Sequence, residues 1–259
     1  MKRIVIIGGG AAGLMAACTA NYIYRNGGAE ITVVEKNERP ARKLMITGKG
    51  RCNVCNNCDI DTLIANVPEN GRFLYSAFSG FAPQDTMTFF ESLGVSLKTE
   101  RGNRVFPVSD KASDIVDALV KAAKRGGAEI IQGTAKKILT ENGAVSGVLL
   151  ENGETLPADS VILATGGMSY PLTGSTGDGY KIARALGHTV TEIKPSLVAL
   201  NAHEGFCERL AGLSLKNVAL SVFEEGKKKP VFSELGEMLF THFGISGPLV
   251  LSASAHMRY

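Results

Sequence analysis

Residues 4–7 form an unbroken apolar run, Ile-Val-Ile-Ile, and three glycines follow. A run of this kind suits a strand buried on both faces, as in a parallel sheet. Residues 11–25 are compatible with a helix. Asn26-Gly27-Gly28 stops it, because Asn and Gly accept the left-handed conformation found at helix ends. Residues 31–34 predict a second buried strand ending at Glu35, completing one strand–helix–strand crossover within about 35 residues.

Residues 36–72 show no clear period and are rich in Gly, Asn and basic residues, which predicts a long functional loop. Helical patterns follow at 83–93 and 109–124, with N-cap chemistry near Ser109 and a stop at Gly126-Gly127. Residues 129–132, 135–140 and 145–150 predict short strands of an antiparallel meander, with Asn142-Gly143 as a hairpin turn. The meander feeds a buried strand at 160–164, then a helix at 180–186 closed by Gly187. After Pro195 the pattern changes to strands at 198–200, 218–223 and 230–232. The expected division is a dinucleotide domain over residues 1–194 and a β-rich region over 195–259.

Composition narrows the class. The chain of 259 residues is 44% hydrophobic and 20% charged, enough for a real core and unlike a disordered chain. The net charge of +3 comes from scattered basic residues, with Lys227-Lys228-Lys229 the only run of three, so no nucleic-acid footprint stands out. Five cysteines do not suggest a secreted disulfide scaffold, and no stretch is long and apolar enough for a signal-peptide core or a membrane span. A cytoplasmic protein with reduced thiols and a small-molecule substrate is expected, with no nucleic-acid or membrane partner.

The chemistry starts at Gly8-x-Gly10-x-x-Gly13, which lies between a buried strand and a helix. Gly8 permits the tight turn, Gly10 lets backbone approach a pyrophosphate, and Gly13 lets helix and strand pack closely. The helix N-terminus offers free N–H groups to phosphates. Glu35, 22 residues after Gly13, is placed to accept hydrogen bonds from ribose hydroxyls and disfavours a 2′-phosphate. The fingerprint does not choose between NAD and FAD. A second apolar strand ending in Ala164-Thr165-Gly166-Gly167, after a meander, favours the two-dinucleotide flavoprotein pattern.

Several longer stretches, VIIGGGAAGL, RKLMITGKGRCN, YPLTGSTGDGY, PSLVAL and GEMLFTHFGISGP, resemble the YhiN/BaiN-like flavoproteins, an aminoacetone-oxidase-type family of FAD-binding enzymes. The resemblance runs over nearly the whole chain. It implies an α/β fold: a Rossmann-like FAD domain of the glutathione-reductase type with a small antiparallel meander, and a mainly β substrate domain inserted after about Pro195. It also implies FAD as cofactor and NAD(P)H as a transient electron donor. Carried over by motif, Gly8, Gly10, Ala12 and Gly13 would hold the pyrophosphate, and Glu35, with Lys36 beside it, the adenosine end. Arg42 and Lys43 would pair with phosphates. Thr47, Gly48, Gly50, Arg51, Cys52 and Asn53 would wrap the flavin side, Ala135 would touch adenine, and Thr165 and Gly166 would close the near side, with Asp178 an N-cap of the next helix or a flavin contact. No catalytic residue is assigned. Two departures stand out. Cys55 replaces a threonine of the family pattern, and the family continues past this chain's end with a glycine-rich return segment, so a fragment is expected.

Cys52, Cys55 and Cys58 form a C-x2-C-x2-C ladder. A metal site lacks a fourth ligand at the required spacing, so none is expected. A redox dithiol with thiolates favoured by Arg51 is a competing reading. The preferred one is a cofactor-wrapping loop in which Cys55 and Cys58 are incidental. His242 is a conceivable proton donor but more simply a structural histidine. Gly174-Ser175-Thr176-Gly177-Asp178-Gly179 lacks the Lys-Ser/Thr of a triphosphate loop, and Ser175 lacks a histidine–carboxylate set. The expected function is an FAD-dependent oxidoreductase moving a hydride between flavin and a small organic substrate. Reduction of an activated double bond and oxidation of an amine both stay open. The alternative is a non-catalytic remnant that binds adenine dinucleotide weakly or serves as an interaction module.

Overall fold

The computed structural model describes residues 1–24 and 27–257. The helix stop expected at Asn26 falls outside the described residues. In chain order the elements are β1 (Lys2–Ile7), α1 (Ala11–Ile23), β2 (Ala29–Glu35), α2 (Arg42–Ile46), β3 (Cys55–Asn56), α3 (Ile60–Ala65), α4 (Tyr75–Gly80) and α5 (Pro83–Ser92). Then come β4 (Leu97–Glu100), β5 (Arg104–Pro107), α6 (Ala112–Arg125), β6 (Glu129–Gln132), β7 (Ala135–Glu141), β8 (Ala144–Leu150), β9 (Thr155–Pro157), β10 (Ser160–Leu163) and α7 (Asp178–Ala185). The remainder is β11 (Leu200–Asn201), α8 (Phe206–Arg209), β12 (Ser214–Val222), β13 (Phe232–Thr241), β14 (Gly244–Ser246) and α9 (Pro248–Ser254).

These elements form two compact units: Met1–Ile64 with Arg72–Val190, and Ala65–Gly71 with the chain from Thr191 onward. The first is built on a parallel sheet in the order β10-β1-β2-β6. The apolar run of β1 divides by alternation: Ile4 and Ile6 pack with Leu14 and Ala17 of α1 and Ile115 and Leu119 of α6, while Val5 and Ile7 pack with Val148 and Leu150 of the meander. Both faces of β1 are covered, which is why the run is continuous rather than alternating.

Several expectations need correction. The loop expected over 36–72 contains α2, α3, the short strand β3 and two 3-10 turns, at Thr47–Gly50 and Gly71–Leu74. These are too short to show a period. Residues 129–132 pair parallel with β2, from Thr32↔Glu129 to Glu35↔Gln132, so β6 belongs to the main sheet and not to the meander. The meander is β7-β8-β9, and its Asn142 and Gly143 have φ of 51° and 77°, the paired positive values of a type I′ hairpin turn. The strand expected to be buried at 160–164 is an edge strand, with Ile162 and Leu163 37% and 38% exposed. The N-cap of α6 is Lys111 with no side-chain cap bond; Ser109 Oγ instead accepts from Lys111 N at 3.3 Å.

A third sheet, β3-β5-β4, joins the residues around Cys55 to a hairpin turning at Gly102 and Asn103, with Cys55 opposite Val105 and Asn56 opposite Arg104. The second unit is the antiparallel sheet β11-β14-β13-β12, on which α9 packs Leu249 and Ala253 against Phe232, Val218, Leu220 and Val222. Here β13 is far longer than the pattern at 230–232 foretells, because Glu234, Glu237 and Gly236 interrupt its apolar alternation.

Ile6 has no exposed surface and sits in the largest cluster. Ile6→Ala should therefore destabilise the first unit by about 2–5 kcal/mol; urea unfolding followed by circular dichroism would measure it.

Candidate functional site

A cleft of about 590 Å³ opens at the carboxyl ends of β1, β2 and β10, entirely within the first unit. This is where an open parallel sheet places ligands. Its floor is the turn from β1 into α1. Gly8 has φ +108°, and a Cβ there would overlap the Ala164 carbonyl oxygen. A Cβ on Gly13 would overlap the Gly8 carbonyl oxygen, so helix and turn touch backbone to backbone. A Cβ on Gly10 would stand in open space, with nothing within 4 Å. The cradle beside Gly10 is thus accessible main chain at the start of α1, lined also by Ala11 and Ala12.

Glu35 ends β2 and is 7% exposed. Its Oε2 accepts from Gly9 N at 2.8 Å, and its Oε1 accepts from the backbone N and Nδ2 of Asn37 at 2.8 and 2.5 Å. Ala41 N donates to Gly9 O at 2.9 Å, so residues 36–41 curl back onto the glycine turn. Arg42 Nη1 donates to Asn37 Oδ1 at 3.3 Å. Lys36 Nζ reaches Asp178 Oδ2 and Thr176 Oγ1, each at 2.6 Å, and Lys43 Nζ reaches Ser175 Oγ at 2.6 Å and Ser169 O at 2.9 Å. The Lys36 ammonium holds the Asp178 carboxyl below its ordinary range. Asp178 is the first residue of α7, and the N-cap is Gly177.

The cleft brings together Gly8, Gly10, Ala12, Glu35, Lys36, Arg42, Lys43, Thr47, Ala135, Thr165, Gly166 and Asp178 of the expected site residues. Gly13 lies behind the wall. Gly48, Gly50, Arg51, Cys52 and Asn53 are not among the lining residues. Asn37, Gly133, Thr134 and Ser175 do line it and were not foreseen. For Asn37 the only signal was its position two residues past Glu35; for Ser175 it was a place in a glycine-rich loop.

The segment 47–53 has its own architecture. Gly48, Lys49, Gly50 and Cys52 all have positive φ, from 55° to 83°. Cys52 is 1% exposed and Cys52 N donates to Thr47 O at 3.1 Å. Arg51 Nη1 bonds Glu100 at 2.9 Å and Asp110 at 3.3 Å, its guanidinium lies 4.0 Å from the Phe106 ring centroid, and Lys98 completes the network at 2.6 Å from Asp110. With its amide turned to donate, Asn53 reaches Cys55 O at 3.1 Å and Val105 O at 3.3 Å. The proposed activation of thiolates by Arg51 is not what the structure has. Burial pushes Cys52 and Cys58 up, and Cys55 up to about 11 with Cys58 adding to it. All five cysteines are free thiols. Among the described residues no group of three or more His, Cys, Asp or Glu is arranged to hold a metal ion. His242 is exposed in the turn between β13 and β14, its ring edge-on to Phe243 at 4.9 Å.

The fold and the cleft are those of a Rossmann-type dinucleotide-binding α/β domain. The chain belongs to the family described as the HI0933-like protein Rossmann domain, whose model matches residues 2–252. It is 34% identical over 258 residues to the 3-dehydro-bile acid delta(4,6)-reductase of Clostridium scindens, covering 99% of this chain and 61% of that protein. It is 30% identical over 255 residues to the ribosomal RNA dihydrouridine synthase of Escherichia coli, covering 98% of this chain and 60% of that protein. The chain thus spans about three fifths of the length of these relatives. Among solved structures, Thermovibrio ammonificans THI4 covers 98% of this chain and 79% of its own at a TM-score of 0.42 and 17% identity. No helix among the described residues is long and apolar enough to cross a membrane.

Two outcomes test this geometry. Glu100 and Asp110 are held below the ordinary carboxylate range, Glu100 by Arg51 first and Asp110 by Lys98 first. Their depressed values mean the network's stabilisation is fully present at neutral pH and is lost as pH falls through those lowered values. Thermal unfolding of the wild type and Arg51→Met should therefore differ at pH 7 and converge in acid. Separately, native Cys55 should alkylate with iodoacetamide at pH 8 more slowly than an ordinary free thiol by roughly tenfold or more, read by peptide mass spectrometry.

Proposed function

We propose that the protein is an FAD-dependent oxidoreductase that moves a hydride between flavin and a small organic substrate, with NAD(P)H as electron donor. The observation that carries this reading is the cleft itself: bare backbone at Gly10, the N-terminus of α1 and the buried Glu35 carboxylate converge on one space. These groups fit a dinucleotide. N–H groups at a helix start suit a pyrophosphate, and the one lone pair left on Glu35 Oε2 suits a ribose hydroxyl. Gly8, Gly10, Ala12 and Gly13 shape the phosphate cradle, Ala135 offers backbone to adenine, and Thr165 and Gly166 close the near wall. Thr47, Gly48, Gly50, Arg51, Cys52 and Asn53 are assigned to the flavin side, with Arg51 acting by pinning that segment to Glu100 and Asp110. Bound FAD would supply a centre that accepts and releases hydride; the chain supplies binding, orientation and exclusion of water.

Reduction of an activated double bond is favoured over oxidation of an amine. A delta(4,6)-reductase of a 3-dehydro bile acid and a dihydrouridine synthase share one chemistry by name: saturation of a carbon–carbon double bond conjugated to a carbonyl. We assign the same substrate class here, in a cytoplasmic setting that keeps the thiols reduced. The β-rich unit beginning at Thr191 is assigned the role of the family's substrate domain.

The purified chain, given FAD and desalted, should retain about one yellow flavin per chain that bleaches anaerobically with NADH or NADPH. A 3-keto-Δ4,6 steroid should restore the colour, and ribosomal RNA should not. Absence of any retained flavin overturns the FAD reading, and recovery by RNA alone overturns the small-molecule assignment.

A further inference from the structure

The two rims of the cleft are joined by side chains rather than by strand pairing. One rim is the segment 36–43 leaving β2; the other is the segment 169–178 leading into α7. They are more than 120 residues apart in sequence. Lys36 Nζ crosses to Asp178 Oδ2 and Thr176 Oγ1 at 2.6 Å, and Thr176 Oγ1 itself bonds Asp178 Oδ2 at 2.7 Å. Lys43 Nζ crosses to the hydroxyl of Ser175, which is 6% exposed, and to Ser169 O. Asn37 Nδ2, already on Glu35, also reaches Thr173 O at 3.3 Å.

The acceptors of the two lysines, Asp178, Thr176, Ser175 and Ser169, all lie on the opposite rim, and the contacts are short. A phosphate could engage either ammonium only by displacing them. Arg42 differs: among the described residues its side chain makes one hydrogen bond, the 3.3 Å contact to Asn37 Oδ1 on its own rim. The Lys36/Asp178 pair is also sheltered, with the two side chains 26% and 29% exposed, so it is screened less than a fully solvated pair.

We propose that Lys36 and Lys43 are positioning residues that tie the rims of the dinucleotide cleft together, with Asp178 and Ser175 as their partners, and that neither lysine is a phosphate ligand. Arg42 is then the cation of this segment that meets the phosphates. The tie acts on the cofactor through the rim. It limits how fast a bound dinucleotide escapes, and through Asn37 it keeps Glu35 oriented. This inference rests on the dinucleotide reading above.

The two roles predict opposite signs for one substitution. If Lys36 bound phosphate, Asp178→Asn would free it and tighten FAD. As a rim tie, Asp178→Asn must loosen FAD. We expect Lys36→Met and Asp178→Asn each to speed FAD release, followed by the return of flavin fluorescence, by roughly two- to tenfold. The charge swap Lys36→Asp with Asp178→Lys should return the rate to within about twofold of wild type. Lys43→Met should act like Lys36→Met. Hydrogen exchange of the amides of residues 173–178 in the FAD-free chain provides an independent readout: faster in the single variants and restored in the swap. Tighter FAD in Asp178→Asn, or a swap no better than the single variants, overturns the proposal. If the wild type takes up no FAD, the flavin reading fails, and unchanged exchange in the single variants then overturns the tie on its own.

Discussion

The buried carboxylate of Glu35 is the interaction on which the cofactor end of the molecule depends. A carboxylate so far from water must find hydrogen-bond donors, and this one finds three: Gly9 N and both nitrogens of Asn37. The first donor fixes the glycine turn relative to β2. The other two fix the direction in which the chain leaves β2. That direction decides where Lys36, Arg42 and Lys43 stand, and so how the second rim is met. Leaving those donors unsatisfied would cost on the order of 1–3 kcal/mol for each buried group. The arrangement needs Gly8 and Gly13 as well, because only bare backbone lets the Gly8 carbonyl, the Ala164 carbonyl and the first turn of α1 share the space under it.

Much of this was legible in sequence because it is local. The run 4–7, the glycine triplet, the following helix and Glu35 lie within one crossover, and each has a steric reason to be what it is. Thr165 and Gly166 were legible as the end of a second apolar strand, and Ala135 only through the family motifs, since nothing in its neighbours says that β7 starts at the cleft where β10 ends. The rest was hidden for identifiable reasons. That Glu129–Gln132 joins β2 while the next strand leaves for a meander is decided by pairing across about 100 residues, as in Thr32↔Glu129. Ser175 and Asn37 are polar residues in loops, where composition is silent about which partner a side chain finds. Arg51 shows the converse case. Its charge was legible, and its partners Glu100 and Asp110 were not, so a residue that looked available for an anion is already engaged.

The cysteine ladder illustrates how spacing misleads when the backbone is not helical. Cys52 sits at φ 62° in a left-handed run, Cys55 is in a strand, and Cys58 follows a turn. Regular spacing in sequence therefore becomes irregular direction in space. Burial keeps these thiols protonated, which suits a wall better than a nucleophile. The strain of non-glycine residues at positive φ is held in place by the β3-β5-β4 sheet and the Arg51 network on either side of it.

One feature of the parallel sheet bears on how the protein is made. β1 is central, and one of its two partners is β10, in register from Ile4↔Ser160 to Ile7↔Leu163, with Arg3 bonded to Asp159 at 2.8 Å beside it. β1, made well before β10, thus waits for more than 150 residues of chain before its second edge is covered. During that interval the glycine turn lacks the Ala164 carbonyl against which Gly8 packs, and the cleft has only one wall. Closing so long a loop is slow, and such topologies fold late and expose apolar strand edges while they wait. The glycine fingerprint is made early, yet the pocket it announces exists only once β10 has been added more than 150 residues later.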